Sequence, residues 1–65
     1  MTDYVCVKEI VSGRGVVLFT KDTIYAFDDQ MFVKDNLGAF RNEFHDNEKL
    51  MKEHFKLKEE ELPWL

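Results

Sequence analysis

Few side chains in this sequence can do chemistry, and their spacing narrows what they can do. His45 and Asp46 are adjacent, with Glu48 close behind. A carboxylate beside an imidazole can orient it for proton transfer. No nucleophile is placed beside this pair by the sequence, so the plainer assignment makes Asp46 a helix N-cap and His45 a surface linker residue. His54 lies beside Phe55 on the apolar face of a helical segment and reads as a histidine packed at the edge of a core; a ligand or switch role is the less favoured alternative. Cys6, the only cysteine, sits within an apolar strand, where a thiol packs as a small hydrophobe. A reactive thiolate needs an electropositive, exposed setting that the neighbouring residues do not supply. Cys6, His45 and His54 lack the ligand spacing of a zinc site. A lone cysteine also excludes a disulfide within one chain. No metal or other cofactor is expected, and no catalytic residue is assigned.

Ser12-Gly13-Arg14-Gly15 is rich in glycine but leads into a strand, whereas a phosphate cradle leads into a helix. It reads as a hairpin connection. Arg14 at its tip is an exposed cation suited to touching a partner.

The elements that must hold these residues are short. Residues 4–11, 16–19, 23–27, 31–34 and 39–44 are apolar, β-branched or aromatic runs separated by turn residues, a strand pattern. In residues 4–11 both parities carry apolar side chains, as in a strand of a small barrel that is covered in part on both faces. Asp35-Asn36-Leu37-Gly38 is the clearest hairpin signal, with Gly38 able to take the left-handed conformation. Asp28-Asp29 breaks the third run. A helix of about two turns is predicted over residues 46–54, starting near Asp46. Phe55-Lys56-Leu57-Lys58 regains a two-residue alternation and reads as a last strand, with continuous helix to Glu61 as the competing reading. Pro63 ends any helix by Leu62. The expected fold is mainly β: a small SH3-like five-stranded barrel with one short helix near the C-terminus. It is a single domain over residues 1–58, followed by an acidic, tryptophan-bearing tail over residues 59–65.

The chain has 65 residues and carries a net charge of −4. That balance argues against general attraction to DNA, RNA or anionic lipid. No apolar run approaches the roughly 20 residues needed to span a bilayer, and the first ten residues do not resemble a signal peptide. Together with the lone cysteine, this leads to an expected cytoplasmic location. Six phenylalanines, two tyrosines and one tryptophan are a large apolar load for so short a chain. Phe19, Tyr25, Phe27, Phe32, Phe40, Phe44 and Phe55 cannot all be interior, so one or two are expected at the surface, where aromatics serve interfaces well.

The pieces Cys6-Val7-Lys8, Phe19-Thr20-Lys21-Asp22-Thr23-Ile24-Tyr25, Asp35-Asn36-Leu37-Gly38 and Lys52-Glu53-His54-Phe55-Lys56-Leu57 occur in this order. Over about residues 4–58 that order resembles a group of small phage and prophage proteins. Asp22 departs from the pattern, which has glycine there. The resemblance implies an SH3-like small barrel and a protein that binds something in the host cell. It carries over no functional residues, because the group has no defined site, and most of its members have no assigned activity.

The tail Glu59-Glu60-Glu61-Leu62-Pro63-Trp64-Leu65 sets three glutamates before an apolar cluster, and tryptophan is over-represented among binding hot spots. Leu62, Trp64, Leu65 and Arg14 are the expected partner-binding residues. The expected function is that of a phage- or prophage-encoded, non-enzymatic module that binds and inhibits or modulates a host or defence protein. Homodimerisation is an open alternative. A second class of function concerns nucleic acid, either by single-strand stacking on exposed aromatics or by acidic mimicry of DNA; the acidic balance makes direct nucleic-acid binding the weaker of these expectations.

Overall fold

The computed structural model describes residues 1–61. Among them the elements run β1 Thr2–Cys6, β2 Ile10–Val11, β3 Val17–Phe19, β4 Ile24–Phe27, β5 Val33–Lys34, β6 Phe40–Arg41, α1 Glu48–His54, β7 Phe55–Leu57 and α2 Lys58–Glu61. The fold is mainly β with a short helix near the C-terminus, as the residue pattern predicts. The closed five-stranded barrel is not what forms. The seven short strands make three separate sheets, ordered β4-β1-β7, β2-β3 and β5-β6.

One reason is that the first predicted strand breaks in two. The Val7 N–H donates to the His54 carbonyl at 2.7 Å, and the Lys8 carbonyl receives the Cys6 thiol at 3.2 Å and His54 Nδ1 at 2.9 Å. These bonds turn the chain between β1 and β2, so each joins a different sheet. β1 is the central strand of its sheet. Tyr4 lies opposite Tyr25 on one side and Leu57 on the other, and Cys6 lies opposite Phe55.

Three turns share one construction. Ser12, Asp28 and Asp35 each donate their N–H to the carbonyl of the fifth residue, at 2.8, 3.1 and 2.9 Å, and accept at their own carbonyl from the N–H of the fourth. Each also uses a side-chain oxygen to accept from the N–H groups of the third and fifth residues. This is a hairpin loop whose last turn residue is left-handed. That residue is Gly15 at φ +82°, Met31 at φ +64° and Gly38 at φ +85°. Glycine adopts this conformation without a Cβ clash. Met31, assigned above to a strand, is instead a turn residue, because Asp28 supplies the acceptor that closes the loop.

The core is an aromatic cluster centred on Phe55. Its ring packs edge-to-face on Phe27 at 5.1 Å, Phe44 at 5.3 Å, Phe19 at 5.5 Å and Tyr25 at 6.1 Å. Such geometry sets the positive edge of one ring against the negative face of another. Cys6, Leu18, Val33 and Met51 complete the buried cluster.

α1 begins one residue later than the sequence suggests. Its N-cap is Asn47, whose Oδ1 accepts from the Leu50 N–H at 3.1 Å, while Asp46 pairs with His45. The helix ends where Phe55 turns to extended backbone at φ −133°, ψ 147°. Burying the Phe55 ring in the cluster fixes that exit, and Phe55–Leu57 becomes β7 against β1. α2 then starts afresh at Lys58 and packs against β1 and β7.

Candidate functional site

The groups capable of chemistry are built into the frame. The buried Cys6 thiol donates to a carbonyl, and burial raises its pKa above the ordinary 9.0. It is therefore a protonated, inert thiol at neutral pH. His54 Nδ1 faces the Lys8 carbonyl, which only accepts, so that nitrogen carries the proton. His45 Nδ1 and Asp46 Oδ1 are 3.0 Å apart, and both side chains are largely solvated. Among the described residues no group of three or more His, Cys, Asp or Glu could hold a metal ion.

Among the described residues the most buried charge is Asp35. Its Oδ1 accepts from the Leu37 and Ala39 N–H groups, and its Oδ2 from Arg41 Nε. Arg41 Nη1 also reaches Glu43 at 2.6 Å. The Arg41 hydrogen bond, helped by the two backbone N–H groups, holds the Asp35 carboxyl below its ordinary 3.8 against the opposing effect of burial. Every acceptor need of this carboxylate is met, which marks it as a brace for the β5–β6 turn.

A second brace links the turns to one another. The Tyr25 hydroxyl donates to Asn36 Oδ1 at 2.7 Å and accepts from the Thr20 N–H at 2.8 Å. Asn36 Nδ2 donates to the Val17 carbonyl and to Thr20 Oγ1, and the Asn36 N–H to the Leu18 carbonyl. The side of β3 that faces Asn36 is thereby covered.

What remains unsatisfied is apolar. Phe40 is 69% exposed, Leu37 66% and Phe32 37%. Val11 and Val17, paired across β2 and β3, are also exposed. Lys34 lies opposite Phe40 in the β5–β6 register, and its Nζ sits 5.7 Å from the centre of that ring. A separate shallow concavity of about 450 Å³ is floored by Tyr4, Met51, Phe55 and Leu57. Glu48 and Lys52 bridge its rim at 2.7 Å.

No family model, curated protein or solved structure matches this chain. Its own residues carry the functional reading.

Arg14 is exposed at the tip of the first turn, as expected. Leu62, Trp64 and Leu65 lie outside the described residues. Sequence reasoning anticipated that one or two aromatics would surface but did not select Phe32 and Phe40. The signal was present in parity. Phe32 and Lys34 alternate with Val33 and Asp35, so burying the latter pair turns the former outward.

Proposed function

We propose that this protein is a small non-enzymatic binding module that works by covering a surface on a protein partner. The supporting observation is a contrast. The thiol, the Asp35 carboxylate and the Tyr25–Asn36 pair are all internally satisfied, whereas Phe40 and Leu37 stand out from a braced hairpin at 69% and 66% exposure. Covering large apolar side chains that stand in water removes their surface from solvent, which favours association. The motif order that resembles small phage and prophage proteins supports such an origin, with a host or defence protein as the partner. The net charge of −4 favours a protein over a nucleic acid as that partner.

The test is capture from host-cell lysate by four immobilised forms: the intact chain, Phe40→Ser, Arg14→Ala and Trp64→Ala. A saturable partner held by the intact chain and lost with one substitution supports the reading and locates the contact. A folded, monomeric intact chain that captures nothing overturns it.

A further inference from the structure

The concavity beside α1 opens over the edge of the aromatic core. Met51 and Phe55 are buried in its floor, while Tyr4 and Leu57 are half-buried. Tyr4 is fixed from behind by its edge-to-face contact with Phe27 at 5.0 Å. The rim charges Glu48 and Lys52 bind one another, so what the floor offers an occupant is apolar surface. The described chain stops beside this floor. Leu57 is the last residue of β7, and α2 turns from it over Lys58–Glu61 against β1, the strand that carries Tyr4. A helix of four residues advances only about 6 Å, so Glu61 stays close to Leu57. Leu62, Pro63, Trp64 and Leu65 follow in the sequence. Proline disfavours helical backbone at the residue before it, so the chain leaves the line of α2 at Leu62. Four extended residues reach about 13 Å, roughly twice the advance of α2 and enough to return across the floor.

We propose that this concavity is the docking site of the chain's own residues 62–65, with the Trp64 indole set against Tyr4, Met51 and Leu57 as a strap that closes the open side of the core. The inference does not rest on the binding-module reading. Size and composition agree with it. A volume of about 450 Å³ lies within the roughly 300–1,000 Å³ of pockets that take a drug-sized group, which suits an indole with one leucine beside it. Three of the four residues that follow Glu61 are large and apolar, matching the floor, and an aromatic ring at Tyr4 favours an aromatic partner. The tether decides between this segment and the same segment of a second copy. A short linker holds its end at an effective concentration on the order of millimolar, which a separate molecule reaches only in concentrated solution. Trp64 then serves the fold rather than a partner.

Trp64 is the only tryptophan of the chain, so its fluorescence reports the strap directly. The experiment reads that emission, together with the nuclear Overhauser contacts of the indole, in the ¹³C,¹⁵N-labelled full chain. Emission is expected to lie to the blue of the urea-unfolded chain and to keep its position on dilution. The indole protons are expected to show contacts with the side chains of Tyr4, Met51 and Leu57. Trp64→Ala is expected to lower the thermal midpoint by at least about 4 °C, the shift that a modest loss of burial makes in a chain this short. It should also move the amides of residues 4, 51 and 55–57, and Trp64→Phe should reduce both effects. Native emission at the unfolded position overturns the proposal, as do indole contacts with any other face of the molecule. Contacts that arise only between differently labelled copies also overturn it, since they assign the concavity to a second copy. None of these outcomes bears on the binding-module reading, which the capture experiment decides.

Discussion

At the scale of single residues, Asp22 is the most exposed to test. It holds φ +66°, and its N–H donates to the Cys6 carbonyl at 2.7 Å. Aspartate tolerates this region better than most residues, but glycine is freer still. Asp22→Gly is expected to stabilise the fold by about 0.5 kcal/mol, because relief of left-handed strain (about 1–2 kcal/mol) outweighs the extra freedom glycine gives the unfolded chain (about 0.5–1 kcal/mol). A urea midpoint that falls would contradict this. Cys6 makes a second residue-level prediction. Its thiol should resist alkylation in native protein at pH 8 and react in step with unfolding. Its raised pKa also carries a sign. The Cys6 contribution to stability is fully present below the ordinary 9.0 and is lost as pH rises through the folded value.

At the scale of elements, the three matching turns show how so short a chain keeps its hairpins in register. A side-chain oxygen in first place and a left-handed residue in fourth set the loop length, and the loop length sets the pairing of the flanking strands. Asp35 does more than close its own loop, since Arg41 binds it across the hairpin. Its pKa is lowered, so its stabilising contribution is present above the ordinary 3.8 and lost as pH falls through the folded value. Asp35→Asn keeps an acceptor for the Leu37 and Ala39 N–H groups but removes the charge facing Arg41. The variant should be less stable than the parent at pH 7. The gap should narrow on acidification below 3.8, as chemical denaturation across a pH series would show. A gap independent of pH would mean that the lost contribution is steric rather than ionic.

At the scale of the whole molecule, stability is concentrated in one aromatic cluster, and a chain of this size draws only about 3–5 kcal/mol from its core. Phe27 is fully buried and packs against Tyr4, Phe44 and Phe55. Phe27→Ala is expected to cost about 3–5 kcal/mol, enough to unfold most of the population at 25 °C by circular dichroism. Phe40→Ser should shift stability by no more than about 0.5 kcal/mol, since the ring is mostly in water. The opposite ranking would mean that Phe40 supports the fold and is not a contact residue.

What the sequence determined by itself was local. Turn chemistry placed the connections at residues 12–15 and 35–38, and short apolar, β-branched and aromatic runs between turn residues gave a mainly β chain. Those signals act over a few neighbouring residues, so they survive without knowledge of the partners. Tertiary contacts decided the rest. The break between β1 and β2 depends on the Val7 N–H and the Lys8 carbonyl, which meet the carbonyl and Nδ1 of His54 more than forty positions away. The exposure of Phe32 and Phe40 depends on which parity of the β5–β6 hairpin is buried, and Val33 and Asp35 claim that side once Arg41 is in reach. The same residue pattern is compatible with a closed barrel or with three open sheets. The assembled core around Phe55 goes with the latter, because pairing between distant segments is a property of the assembled core and not of any one segment.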